Sequence, residues 1–594
     1  MKTLQCDLAV VGGGMAGVCA AIAAARLGSK VVLIQDRPVL GGNASSEIKM
    51  HIVGADNHGN RPGARETGLL EEFRLEDAVR NPHRSYSQWD LLLYEKVIQE
   101  PNITLLLNAA CVGCAVDGSS TQRRIRSIRV QRHSTEEEFE IVAPFYADCS
   151  GDGRLGLEAG ADFRMGRECC EEFGETLAVE KADNQTLGSS ILFTARQYEK
   201  PQPFRRPHWV RRFRKEEFKF RAVQSFEYGY WWAEWGGQLD TIHDNEKIRH
   251  ELLRIALGIW DYVKNSGDHP DSAHWALDWV GAIPGKRESR RFLGPKILTQ
   301  GDLESGRLYD DVVAYGGWWL DLHPPTGVDA INESPCVHHR IPLYGIPLRA
   351  LYSRNVGNLF FAGRNMSATH VAFSSLRVMG TCAVMGQAVG AAAAMLREKV
   401  GMIGELVDKP AMKRIQQSLL RQDAYLPGIK NEDEHDLARI AIVTASSGEL
   451  TVGRVVNGIA RDTSKKWNSE LREADNAWQS ESLPAWMELS WDRPQNIQEI
   501  HLTFCTGLQR ELILSPSDHV TSKSIRGAQP ETAKQYRLLL DDQELVCVED
   551  NYLRKRVHQF PQPITVRRLR LKIEATWGCL SASIYEIRAY ATCQ

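Results

Sequence analysis

Hydrophobic and polar positions divide the chain into four stretches. In the first, an apolar run at 5–11 meets a glycine cluster, then the small-residue run Val18–Ala25, and a second apolar run fills 30–34. Short apolar runs separated by a helix-length segment predict buried parallel strands joined by a crossover helix. Helical spacing around Trp89–Ile98 predicts another helix, with strands at 103–107, 123–131 and 138–142. This α/β pattern reaches about residue 160. From 161 to 335 it fades, and nine of the fifteen tryptophans fall between Trp209 and Trp319, which predicts a separate inserted α+β region. The α/β character returns over 336–430 and closes with a helix at 409–421. The charged run Lys430–Asp436 predicts a linker. Beyond 437, short alternating segments recur at 438–443, 487–491, 498–504, 535–541, 544–548, 564–573 and 583–591. Turn residues separate them, the pattern of an antiparallel β-sandwich.

Composition narrows the functional classes. The 594 residues are 43% hydrophobic and 25% charged, enough for large cores. A net charge of −3 without a basic block argues against a nucleic-acid partner. Thirteen scattered cysteines form no disulfide framework, which predicts a reducing, cytoplasmic setting unless a leader has been removed. The uncharged stretch Val378–Leu396 is long enough to span a bilayer. Its Ala, Gly, Cys and Thr content predicts a buried helix and no membrane association.

The chemistry starts at Gly12-Gly13-Gly14-Met15-Ala16-Gly17. Gly12 permits a tight turn after the first strand, Gly14 lets backbone approach a pyrophosphate, and Gly17 lets the helix pack on the strand. Free N–H groups of Met15 and Ala16 at the helix start would hold phosphate. The chain therefore reads as α/β: a Rossmann-like dinucleotide domain (1–160 and 336–430), an inserted substrate or cap domain (161–335), and a C-terminal β-sandwich (437–594).

Three further motifs follow in order: Gln35-Asp36-Arg37 through Gly41-Gly42-Asn43-Ala44-Ser45, then Asp148-Cys149-Ser150-Gly151-Asp152-Gly153, then Asn358 through Gly363-Arg364 to Ser374-Ser375-Leu376-Arg377. With the opening turn, the chain resembles FAD-dependent oxidoreductases of the glutathione-reductase type 2 class, in the branch related to the heterodisulfide-reductase A flavoprotein. The resemblance implies FAD held by these residues, with Val112 on a neighbouring strand also in contact. It also implies that the helix after Gly363 points its N-terminus at the flavin. Gln35 departs from the acid expected on the adenosine ribose, and Asp36 stands beside it. The iron–sulfur cysteines of the related electron-transfer protein are missing. Cys111/Cys114, Cys169/Cys170 and Cys336/His338/His339 read as structural, and no metal is expected.

Candidate catalytic groups lie in the Arg-rich motif Gly285–Arg291, in His338-His339-Arg340, and at His370. Arg287, Arg290 and Arg340 would bind an anionic group or stabilise an oxyanion, and His339 or His370 would take a hydroxyl proton. The alternative for the arginines is an ion-pair network that pins the insert, with Glu288 as partner. His51 and His58 are weaker candidates. The aromatic tract Glu227–Gly237 and the pair Trp318-Trp319 suit a sugar face. The segments Gln498–Phe504, Tyr536–Leu540, Val566–Lys572 and Ile584–Tyr590 resemble galactose-binding-like modules. Together these features imply oxidation of a carbohydrate or glycoside hydroxyl, with a small molecule or glycan as partner. Two alternatives stay open: an electron-transfer or disulfide-type flavoprotein without its own cluster, and a glycan-binding or lyase-like protein whose flavin is structural. The motifs specify neither electron acceptor nor oligomeric state.

Overall fold

The computed structural model describes residues 1–399 and 401–591. Its centre is a five-stranded parallel sheet in the order Leu359–Phe361, Phe145–Asp148, Leu8–Val11, Val31–Ile34, Ile103–Leu106. The first four strands are buried along their whole length, as apolar runs covered on both faces must be. The run expected as one strand over 5–11 is two strands in two sheets. Lys2–Gln5 pairs with Glu137–Val142 at the edge of a second, four-stranded sheet built from 109–142. The chain breaks at Cys6-Asp7, where the Asp7 carboxylate accepts the Lys30 N–H at 2.7 Å.

Two helices pack backbone to backbone beside the parallel sheet. Met15–Arg26 follows the glycine turn, and Met379–Leu396 returns after the last parallel strand. A Cβ on Gly386 would stand 2.0 Å from the Ala16 carbonyl oxygen, and one on Gly390 would stand 2.1 Å from that of Ala20. Only glycine permits this approach. The second helix is 89% buried, so its membrane-like composition reflects close packing of small residues inside a domain.

The stretch expected as one insert over 161–335 packs in two parts. Residues from Ile191 to Val280, with Val328, form their own apolar cluster around the helix Asn245–Asn265. Phe292, Leu298 and Val312–Ala314 instead join the main core, and Val312–Gly316 pairs with Tyr344–Pro347.

In the C-terminal region two long strands, Ala485–Phe504 and Lys555–Thr576, pair antiparallel through bulges near Ser490–Gln495 and Ile497–Glu499. They change neighbours across the bulges. The first half of Ala485–Phe504 pairs with Ile442–Ala445, the second with Ser583–Tyr590. Met487 and Leu489 from one half and Ile500 and Leu502 from the other share one core, so the antiparallel sheet folds over itself. The charged run before it is no free linker. Asn431 is buried, its side chain donates to Asp436 at 2.9 Å, and its backbone N–H donates to Gly458. The polar residues that suggested solvent instead satisfy buried backbone.

Gly390→Val should destabilise the fold by about 3 kcal/mol or more, because a branched side chain would meet backbone that cannot yield. Thermal unfolding followed by circular dichroism measures this, and a melting point within a degree of wild type would contradict the packing described.

Candidate active site

The C-terminal ends of the parallel strands open into a cavity of about 690 Å3. It lies where strand order reverses around Leu8–Val11, the usual place for a ligand in such a sheet. Its inner half is backbone. Gly12 sits at φ 105°, and a Cβ there would be 2.3 Å from the Cys149 carbonyl oxygen, so the turn requires glycine. At Gly14 the nearest atom to an added Cβ is the Gly42 Cα at 4.0 Å, which leaves room on the cavity side. The helix Met15–Arg26 begins there without a side-chain cap, so its first N–H groups remain for an anion.

Of the residues expected to hold a cofactor, Gly12, Gly14, Met15, Ala16, Gln35, Asp36, Arg37, Gly41, Gly42, Asn43, Ser150, Gly151, Asp152, Gly363, Arg364 and Arg377 line this cavity. Four do not. Gly17 packs under the turn, where a Cβ would be 1.8 Å from the Gly12 carbonyl oxygen. Ser45 donates to the Gly42 carbonyl at 2.7 Å and braces the loop. Ser375 donates to the Trp318 carbonyl at 2.6 Å and meets the Tyr344 hydroxyl at 2.7 Å. Val112 sits at a bulge in the strand Ala109–Ser119, and Ala109, Ala110 and Cys111 line the cavity instead.

Gln35 is used internally: its Oε1 accepts the Gly13 N–H at 2.7 Å and its amide donates to the Val39 carbonyl at 3.1 Å. The neighbouring exposed Asp36 is left facing the cavity. Lys286 pairs with Asp152 at 2.5 Å, while the buried Arg364 Nη1 has no hydrogen-bond partner among the described residues. An unpaired buried guanidinium nitrogen, an uncapped helix start and glycines open to the cavity fit a phosphate-bearing dinucleotide. The helix expected to point at the flavin, His370–Leu376, is stopped by protein groups: Thr369 caps it and Glu168 accepts the His370 N–H at 2.8 Å. The uncapped helix Met379–Leu396 reaches the cavity instead, through Met379 and Cys382.

The outer half carries side chains. Trp231, Trp318 and Trp319 line it with His51, His58, His323, His338, Asp321, Arg287 and Arg377. A chain of charges runs along the wall. His323 sits between Glu234 at 2.7 Å and Asp321 at 3.1 Å, and Arg377 holds Asp321 at 2.8 Å. Burial alone would pull the His323 pKa down, but Asp321 and Glu234 outweigh it and leave it raised. Burial pushes Asp321 up, yet His323, His338 and Arg377 together hold it well below the usual carboxylate range. Arg287 donates to the Ser190 hydroxyl at 2.9 Å and the Trp231 carbonyl at 2.8 Å, so it stands at the cavity and fixes a tryptophan there.

The other expected catalytic residues lie off the cavity. His339 follows His338 in the strand Val337–His339, so the two point to opposite faces, and His338 takes the cavity side against Trp319. His370 is buried behind the wall, 3.0 Å from Glu288, which also pairs with Arg291. Arg290 donates to the Asp152 carbonyl at 3.1 Å and Arg340 is exposed. Arg291, with Glu288 and Glu168, is the network that joins 164–168 to the main core. His323 and Asp321 carried no motif. Their only signal was proximity in sequence to Trp318-Trp319.

A family model described as FAD dependent oxidoreductase matches residues 7–419. The chain belongs to that family. FAD is therefore the cofactor of this oxidoreductase, and the glycine motifs that suggested it line the cavity. No curated protein matches the chain. Among solved structures, a geranylgeranyl bacteriochlorophyll reductase-like protein from Thermoplasma acidophilum is 12% identical over 71% of this chain and 87% of its own, with a TM-score of 0.32. A family 32 carbohydrate-binding module from Streptococcus pneumoniae is 16% identical, covering 26% of this chain and 99% of its own, with a TM-score of 0.20.

Gly14→Val should fold but retain FAD about tenfold less tightly, since its branches would occupy cofactor space. The ratio of flavin to protein absorbance after dialysis reads this out. His370→Gln should lower stability by about 1–3 kcal/mol through the buried Glu288 it leaves short of a partner, with flavin reduction by substrate unchanged. A reduction rate lowered a hundredfold at normal folding would return His370 to the chemistry.

Proposed function

We propose that this FAD-dependent oxidoreductase oxidises a hydroxyl of a carbohydrate or glycoside. The observation that carries this reading is the group of three tryptophans, Trp231, Trp318 and Trp319, lining the same cavity as the glycine cradle together with Arg287, Arg377 and four histidines. Indole faces cover the apolar face of a sugar ring, while charged groups beside them satisfy its hydroxyls. One C–H bond and one O–H bond of the substrate break and a C=O bond forms. FAD, when bound, supplies the acceptor for the hydride. The protein's tasks are to orient the sugar on the indoles, to hold the flavin through Gly12–Ala16 and Arg364, and to take the hydroxyl proton at the cavity wall.

The thiol-exchange alternative draws less support. Cys111, Cys149 and Cys382 line the cavity, but burial pushes all three thiols up, to about 12 for Cys111 and Cys382. A protonated thiol is a poor nucleophile at neutral pH.

Anaerobic mixing with a broad panel of sugars and glycosides should bleach the oxidised-flavin absorbance for at least one class. Trp319→Ala should then raise KM for that substrate about tenfold, the scale of a lost aromatic contact. An unchanged spectrum across the panel, with dithionite still reducing the flavin, would sink the carbohydrate reading.

A further inference from the structure

The C-terminal domain reaches a histidine of the cavity wall. Its loop Thr506–Ile513 is clamped against the first domain from several sides. Leu508 accepts the Gly63 N–H at 3.1 Å. The side chain of Arg65, fully enclosed, donates to the carbonyls of Gly507 at 3.3 Å, Thr506 at 3.4 Å and Arg510. The Thr506 hydroxyl donates to Glu71 at 2.8 Å, and Leu512 packs with Leu75 and Ala78. Glu511, one-tenth exposed, projects from this loop to the Nδ1 of His58 at 2.8 Å.

His58 differs from His323 and His51 on the wall, and it shares one-sided anchoring by a carboxylate with His338. His323 has both nitrogens engaged by carboxylates. The His338 Nε2 is shared between Asp321 at 2.9 Å and Cys336 at 3.4 Å. The enclosed His51 Nδ1 has no partner among the described residues, and burial, with the adjacent His58, pulls that imidazole down to about 3. His58 has one nitrogen held by a carboxylate, and its Nε2 makes no hydrogen bond among the described residues. Its ring stands edge-on to Trp318 at 5.3 Å, beside the proposed sugar platform. A base in a flavin site needs this arrangement: one nitrogen anchored so that the tautomer is defined, the other left to accept.

We propose that Glu511 is a positioning residue of the oxidoreductase site, which holds His58 as acceptor of the substrate's hydroxyl proton through Nε2. This rests on the carbohydrate-oxidation reading for the identity of the proton donor. Neutral His58 carries its own proton on Nδ1, donated to the Glu511 carboxylate. As the substrate C–H electron pair leaves to FAD, the O–H proton moves to Nε2, and the imidazolium is stabilised by Glu511 behind it. The groups that face His58 are Glu511 from the C-terminal domain, and Asp56 and His51 from its own loop. Burial lowers the His58 pKa, but the hydrogen bond and charge of Glu511, with Asp56, outweigh it and leave it raised. The C-terminal domain is thus part of the catalytic unit and not a detachable accessory.

The test uses the full chain loaded with FAD, as wild type, Glu511→Gln and Glu511→Asp, with melting point and flavin content checked for each. Histidine NMR should show His58 titrating about one pH unit lower in E511Q and restored in large part in E511D, with the Nδ1-protonated tautomer lost in E511Q. Reduction of the flavin by a glycoside found active should rise with pH through the His58 titration in wild type. In E511Q this limb should move to lower pH and the plateau should fall about a hundredfold with little change in KM. An identical His58 titration in wild type and E511Q overturns the proposal. So does a shifted titration with an unchanged reduction rate and pH profile. Should E511Q fail to fold, His58→Ala carries the test, and its flavin reduced as fast as in wild type overturns the proposal. If His58 shifts as expected while no glycoside reduces even the wild-type flavin, the pairing stands and the carbohydrate reading fails.

Discussion

The architecture depends on the close approach of two helices. Met15–Arg26 and Met379–Leu396 meet with almost no side chain between them, because Gly386 and Gly390 face the carbonyls of Ala16 and Ala20. Their sequence separation exceeds three hundred residues, so this contact sets where the returning chain lies relative to the opening one. It brings Gly12–Ala16 and Gly363–Cys382 together at the cavity, with Gly363 next to Ala16. A larger residue at either glycine would push the helices apart and widen the site that both line. The dispersion energy of such a contact is modest for each atom pair but accumulates over a dense interface.

The cavity wall is built on a different principle. Arg287, Glu234, His323, Asp321 and Arg377 alternate in charge and are all largely buried. Buried ion pairs of this kind add little net stability, because desolvation offsets attraction, yet removing one member strands its neighbour. Their effect is to fix position: Arg287 holds the Trp231 carbonyl, and Arg377 holds Asp321, which accepts the Trp318 indole N–H at 3.4 Å. Trp231 and Trp318 are therefore held before any ligand arrives, which reduces the side-chain entropy the protein loses on binding.

The C-terminal sheet is joined to the oxidoreductase by buried polar contacts rather than by a tether. Arg554 pairs with Asp423 at 2.9 Å, Arg461 donates to the Arg65 carbonyl at 2.9 Å, and Trp467 packs with Tyr315 and Leu343. Such an interface excludes the independent tumbling expected of an appended module. It also explains why a run as charged as Lys430–Asp436 is ordered, since Asp436 accepts the backbone N–H groups of Ala438 and Ala589.

The sequence by itself determined the parallel sheet, the glycine turn and the cofactor. The buried strands announce themselves as apolar runs, and Gly12 sits where local backbone geometry leaves no other choice. That information is local, within one strand–turn–helix unit. The outer wall was legible only in part. Arg287 and Arg377 lay in motifs, but His339 was chosen where His338 faces the cavity, because a two-residue strand period cannot say which of two adjacent side chains points inward. His370 sits in the most flavin-like motif and is nonetheless turned into an ion-pair network behind the wall. His323, Asp321 and Glu511 carry no local pattern at all. They meet the site through contacts between segments as far apart as 58 and 511, and only the packing of one domain against another decides such contacts.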